Sequence, residues 1–188
     1  MMDRREFVRE LLIDRGDLLV VCGLGSATYD VAAAGDHPLN FYLWGAMGGA
    51  AMIGLGLALA QPSRRVAVIT GDGDMLMGFG SLATIGVKQP KNLAIVVLDN
   101  AHYGETGMQP SHTHAGIDLV AAALACRFKH ARVVSRGDGA VDVRALLHAG
   151  EGPVLVNARI SPDDVPRVLP LRDGHAIKQR FIEALNTA

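Results

Sequence analysis

The sequence predicts an α/β domain, a parallel sheet of about six strands with helices on both faces, on three observations. Short β-branched runs alternate with helical stretches along the whole chain. The runs are apolar at successive positions rather than alternate ones, as strands covered on both faces are. Glycine is abundant, at 22 residues, and clusters where those runs end. A chain of 188 residues suffices for one domain with a sizeable core, so residues 1–188 are read as a single unit.

The elements follow in order. Met1 to Glu10 is charged and helical in pattern, without the apolar region of a signal peptide, and Asp3–Asp14 reads as the first helix. Leu18–Cys22 reads as the first strand, Thr28–Ala34 as a helix and Phe41–Leu43 as the second strand. From Leu43 to Ala60 no residue is charged, a length that invites a membrane-spanning reading. The stretch is rich in glycine and alanine, however, and leads through Gln61-Pro62-Ser63-Arg64-Arg65 into another strand-like run. Ala46–Ala60 is therefore expected to be a buried crossover helix of a soluble protein. Val66–Thr70 and Leu93–Leu98 are strands flanking a helix at Met77–Lys88. Helix Gly116–Ala125, strand Ala131–Val134, helix Val141–Ala149 and strand Val154–Ile160 complete the alternation. Pro162, Pro166 and Pro170 mark a surface connection into a closing helix, Ala176–Leu185. Right-handed crossovers gather all strand C-termini on one edge, where such sheets bind ligands.

Composition narrows the function. A net charge of −1 gives no electrostatic footing for nucleic acid or for an anionic membrane surface. Cys22 and Cys126 lie in apolar stretches and read as buried free thiols of a reducing cytoplasm.

Three loops at the binding edge carry the chemistry. Gly23-Leu24-Gly25-Ser26 follows the first strand, Gly71-Asp72-Gly73-Asp74 the third, and Asp99-Asn100-Ala101-His102 the fourth. Glycines there let backbone N–H groups approach an anion, with a helix N-terminus behind them. Asp72 beside an anion would be repelled unless a divalent cation lay between them. Mg²⁺ takes one or two protein oxygens plus phosphate and water, and the Asp72 carboxylate and Asn100 amide oxygen suit it. A lone Gly-Asp-Gly is usually only a turn. The 25 residues between Gly73 and Asp99 give it weight, because they leave room for one helix and one strand and bring the loops side by side.

Gly71-Asp72-Gly73, that spacer and Asp99-Asn100 resemble the fingerprint of thiamine diphosphate enzymes, with Asp99 where the family has the first of two asparagines. The resemblance implies Mg²⁺ held by Asp72, Asn100 and the backbone carbonyl of His102. It implies a cofactor contacted by Gly25, Ser26, Gly71, Asp72, Gly73, Asp74, Asn100 and Tyr103. The stretch Trp44-Gly45-Ala46-Met47-Gly48 is similar to the family loop at the cofactor, where Gly45 lies and a bulky side chain, here Met47, props the bent conformation. The run from Leu98 to Gln109 resembles the small β subunits of sulfopyruvate decarboxylase and phosphonopyruvate decarboxylase. These act on three-carbon 2-oxo acids bearing a second anionic group.

The family also needs a glutamate on a pyrimidine-binding domain to activate the cofactor. Of the five glutamates here, Glu6, Glu10, Glu151 and Glu183 lie outside the motifs, and Glu105 follows the metal loop directly. The resemblance thus implies a separate α subunit carrying the activating glutamate, and a hetero-oligomer. His112, His114 and Glu105 are the candidates in this chain for proton handling or for holding an anionic substrate. A carboligase subunit like those of acetohydroxyacid synthase is the alternative enzyme reading. A nucleotide-binding module is the distant one, since Gly23-Leu24-Gly25-Ser26-Ala27-Thr28 lacks the last glycine of the dinucleotide fingerprint.

Overall fold

A computed structural model of the chain describes residues 1–136, 139–149 and 151–187. Its centre is the six-stranded sheet that the sequence implies. The strands are β1 (Leu19–Cys22), β2 (Asn40–Tyr42), β3 (Val66–Gly71), β4 (Leu93–Asp99), β7 (His130–Val134) and β8 (Val154–Arg159). They lie in the order β2-β1-β3-β4-β8-β7, and every neighbouring pair is parallel. A two-stranded antiparallel hairpin, β5 (His102–Tyr103) with β6 (Gln109–Pro110), stands beyond the sheet edge.

Strand residues of period two divide between two cores, which explains the unbroken apolar runs. Val20, Cys22, Ala67, Ile69, Ala94, Val96, Leu98, Val154 and Val156 face one core, with α1 (Arg4–Leu11), α2 (Ser26–Ala33) and α7 (Gly139–Ala149). Leu19, Val21, Val66, Val68, Leu93, Ile95, Val97 and Leu155 face the other. There the cover is α3 (Ala50–Ala60), α5 (Ser81–Lys88), α6 (Leu119–Ala125) and α8 (Gly174–Thr187).

The expected elements are all present, with three local corrections. The helix read as Met77–Lys88 begins at Ser81 as α5, and a separate helix, α4 (Asp72–Met77), precedes it across residues 78–80. The glycine-aspartate loop is therefore itself the first turn of a helix. Ala46 to Gly49 are not helical, because Ala46 and Gly48 take left-handed backbone (φ 56° and 83°), so α3 starts at Ala50. Cys126 is only half-buried, while Cys22 is fully buried and burial raises its thiol pKa.

α3 packs so closely on the sheet that a Cβ on Gly54 would strike Val68. Its other face leaves Met52, Ile53 and Leu59 exposed. Among the described residues, no helix is long and apolar enough to cross a membrane.

The N-terminus meets the end of β8 at the binding edge. Met2 forms a parallel bridge with Ile160, just past β8, and Ser161 N–H donates to the Met2 carbonyl at 2.8 Å. That bridge fixes where α1 begins, with Asp3 as its N-cap accepting from Glu6 N–H. Residues 161–173, without regular structure, then run back across the edge. Pro166 O accepts from Arg5 and Leu171 O from the Trp44 indole, both at 2.8 Å.

Candidate active site

Where β1 and β3 diverge toward neighbours on opposite sides, the sheet has its topological switch point, and a cleft of about 180 Å³ opens there. Ser26, Met47, Gly71, Asp72, Gly73, Asp74, Asn100, His102, Tyr103 and Glu105 line it. Most of the residues singled out in the sequence thus converge. Gly25 and Gly45 do not line the cleft. Gly25 is the N-cap of α2 at φ 75°, with no side-chain cap over the helix's first N–H groups. A side chain there would also meet Glu105. Gly45 is exposed, with nothing near enough to touch an added Cβ.

The cleft holds four carboxylates with different partners. Asp30 is fully buried against Arg4 (3.2 Å) and Arg5 (3.3 Å). Glu105 pairs with Arg167 at 3.4 Å. Asp74 accepts from Gly48 N–H at 2.5 Å and from the Thr70 hydroxyl. Its side chain is thus engaged in pinning the Met47 loop to α4, and only its backbone N–H is free to serve a ligand. Gly48 and Gly78 reinforce that join, since a Cβ on Gly78 would collide with the Gly48 carbonyl.

Asp72, like Asp74, pairs with no cation among the described residues, but where Asp74 has a donor on each oxygen, Asp72 has side-chain donors on one oxygen alone. It is 2 % exposed, yet its partners are hydroxyls: Ser111 Oγ donates to Oδ2 at 2.5 Å and Thr113 Oγ1 lies 3.2 Å from the same oxygen. Burial pushes its carboxyl above the ordinary range, the Ser111 hydroxyl pulls it down, and the nearby Asp99 charge pushes it up. A carboxylate buried without a cation is unfavourable. Oδ1, without a side-chain donor, sits in a cleft shared with the Asn100 amide. These hard oxygens, with the His102 carbonyl two residues on, fit Mg²⁺. Asn100 Oδ1 already accepts His102 N–H at 2.9 Å, which orients it and leaves it a lone pair. Among the described residues, His, Cys, Asp and Glu form no group of three or more suited to a metal, so the alternating His112 and His114 do not make one.

Asp99, in place of the family's asparagine, is accommodated by its surroundings. Arg159 reaches Oδ2 at 2.8 Å, Asn157 donates to the same oxygen at 2.9 Å, and Thr113 and Ala101 N–H donate to Oδ1. Arg159 closes β8, beside Asp99 in register, and neutralises the extra charge.

The histidines stand one layer back. His112 is exposed and outside the cleft, but its Nδ1 is 2.6 Å from the hydroxyl of Tyr103, which lines the cleft. His114 packs edge-on to the His102 ring, with centroids 5.7 Å apart, behind the metal loop. Sequence reasoning missed Ser111 and Thr113 as props of Asp72, and missed Arg4 and Asp30 as wall residues. Ser111-His112-Thr113-His114 alternates in and out, and attention to the histidines hid the two hydroxyls.

Comparison with known proteins gives a family and a fold. Residues 23–158 match the family model described as thiamine pyrophosphate enzyme, C-terminal TPP binding domain. Sulfopyruvate decarboxylase subunit beta of Methanothermobacter thermautotrophicus is 40 % identical over 190 residues, covering all of this chain and 98 % of that one. Phosphonopyruvate decarboxylase of Streptomyces viridochromogenes is 40 % identical over 159 residues, which are 82 % of this chain but 40 % of the relative. A solved structure, a putative thiamin diphosphate-dependent enzyme from Mycobacterium smegmatis, superposes with a TM-score of 0.70 at 22 % identity. It covers 86 % of this chain and 32 % of that one, and supports the fold.

Proposed function

The chain belongs to the thiamine pyrophosphate enzymes, through their C-terminal TPP-binding domain, and on that premise we propose that it is the diphosphate- and magnesium-binding subunit of a two-chain 2-oxo acid decarboxylase. The substrate class is a three-carbon 2-oxo acid with a second anionic group, as in the names of the relatives that match it. The observation that carries the reading is Asp72, a buried carboxylate with no cation of its own, beside Asn100 in a family-matched cleft. Asp72, Asn100 and the His102 carbonyl hold Mg²⁺, and backbone N–H groups after Gly25 receive the diphosphate.

Thiamine diphosphate, when bound, supplies the electron sink for loss of CO₂. The residues of this chain orient it and manage protons. Met47 projects from a loop held by Asp74 and Gly48 and supports the cofactor's bend. Tyr103 lines the cleft, and its hydroxyl is hydrogen-bonded to Nδ1 of the exposed His112, a contact through which a proton could pass between site and solvent. Of the two candidate histidines, His112 is the one joined to the cleft. Glu105 is held by Arg167 at the metal end and serves as a wall. The α subunit supplies the activating glutamate.

The test is CO₂ release from 3-sulfopyruvate and 3-phosphonopyruvate by the chain co-expressed with its partner, with and without an acceptor aldehyde. Release that yields the free aldehyde whether or not an acceptor is present is expected. Strict dependence on the acceptor would establish the carboligase instead.

Met47 gives a sharper check. Its side chain is 41 % exposed, so truncation forfeits little core packing. Met47→Ala is expected to leave the melting temperature within a few degrees and to lower kcat by about 10–100-fold through lost alignment. Met47→Leu should keep most of the turnover. Equal kcat for the alanine variant and the parent would remove Met47 from the role.

A further inference from the structure

α1 begins with a local conflict. Arg4 and Arg5 occupy its first turn, where the helix dipole disfavours cations. Asp30 in α2 draws both: Arg4 Nε lies 3.2 Å from Oδ2, and Arg5 binds Oδ1 through two nitrogens at 3.3 and 3.4 Å. Two arginines against one carboxylate leave one positive charge in excess. Arg5 spends its remaining reach on Pro166 O.

Arg4 does not. Its side chain is only 8 % exposed, and among the described residues neither terminal nitrogen has a protein hydrogen-bond partner. Its buried Nε has only the ion pair with Asp30, and the two terminal nitrogens, without a protein partner, are left open to a ligand, where a charged donor pair gains most from an anion. Its position says which. Arg4 lines the cleft, and among the described lining residues it is the one arginine or lysine, set against Asp30, Asp72, Asp74 and Glu105. A neighbouring recess shares Arg4, Ser26 and Asn100 with the cleft but includes neither Met47 nor Tyr103. Arg4 is therefore at the metal end, beside the uncapped N-terminus of α2, and away from the end where the cofactor's rings and the substrate react.

We infer that Arg4 binds the terminal phosphate of thiamine diphosphate, its two terminal nitrogens forming a fork held in aim by Asp30. The inference rests on the proposed cofactor reading, and it adds a contact outside the glycine loops and the metal ligands. Arginine suits the task, because its planar donors match two phosphate oxygens and it stays charged when buried. Mg²⁺ at Asp72 and Asn100 offsets part of the diphosphate charge, and Arg4 offsets a further unit where the metal does not reach. The consequence is selectivity: thiamine monophosphate lacks the group that Arg4 holds.

The experiment measures dissociation constants of thiamine diphosphate and thiamine monophosphate by titration calorimetry on the two-chain complex with saturating Mg²⁺. Arg4→Met is expected to weaken thiamine diphosphate about 10–100-fold and the monophosphate less than about threefold. Arg4→Lys should recover only part of the loss, since a point charge lacks the fork. Arg5 still pairs with Asp30 in Arg4→Met; if that variant nonetheless unfolds, Arg4→Gln, which keeps an amide donor without the charge, is titrated instead. Equal weakening of both ligands, or unchanged affinity for both, would overturn the assignment. A parent complex that binds neither ligand would overturn the cofactor reading itself, a distinguishable result.

Discussion

Purified without a partner, the 188-residue chain is expected to release no measurable CO₂ from any 2-oxo acid, and adding the α subunit should restore turnover. The expectation starts from what the cleft lacks. Activation of the cofactor needs a carboxylate at its pyrimidine, and Glu105, the glutamate lining the cleft, sits at the metal end in a pair with Arg167. Met47 and Tyr103 line a side open to water, with Met47 41 % exposed. A site that must exclude water during reaction needs a second wall. On the helices that lead from the cleft's loops, Met52 and Ile53 of α3 and Met77 of α4, with Phe79 just after, are large, apolar and exposed, as a face awaiting a subunit contact is. The streptomycete relative, of whose length the chain matches 40 %, accommodates further sequence in the same polypeptide. General acid–base participation contributes about 10²–10⁴ in rate, so the chain alone should fall at least that far below the complex. Mass measurement should find both chain types in the active species. Full turnover by a species containing this chain alone would refute the two-chain reading.

The sheet was legible because its strands are buried on both faces, which writes β4 as seven consecutive buried residues, Leu93–Asp99. The residues proposed to hold the metal could be picked out because each of their loops directly follows a strand. What escaped depends on tertiary position. Arg4 reads as one charge of a helical segment, and only the bridge between Met2 and Ile160 carries it to the sheet edge. The arginine pair against the α1 dipole was the available hint. Ser111 and Thr113 reach Asp72 across 39 and 41 residues, a distance no local pattern spans. The α4 helix was missed because Gly-Asp-Gly has low helix propensity, and the site's geometry overrode it. Asp99 looked like a departure from the family pattern until Arg159 was found beside it, supplied by the register of β4 with β8.

Removing the charge of Asp72 should have the largest single-residue effect. Among the cleft's buried acids, Asp30 has its arginines and Asp74 a donor on each oxygen, while Asp72 has side-chain donors on Oδ2 alone. In the proposed function its charge is balanced when Mg²⁺ and diphosphate assemble on it, so that metal, cofactor and Asp72 would act as one electrostatic unit. Asp72→Asn keeps the volume and an oxygen for Ser111 and Thr113, and withdraws the charge. Breaking one member of a buried charge set costs about 3–5 kcal/mol, or roughly 10²–10⁴-fold in the Mg²⁺-dependent binding of thiamine diphosphate. Turnover of the two-chain enzyme should fall with it. The apo protein should respond oppositely: losing an uncompensated buried carboxylate ought to leave its stability unchanged or raise it by about 1 kcal/mol. Ser111→Ala separates the metal role from the structural one. It deletes the 2.5 Å hydrogen bond to Oδ2 but no metal ligand, and should weaken cofactor binding by no more than about tenfold. Equal effects from Asp72→Asn and Ser111→Ala would make Asp72 an anchor for the 111–113 loop. Parent-like affinity and turnover in Asp72→Asn would take it out of the metal site altogether.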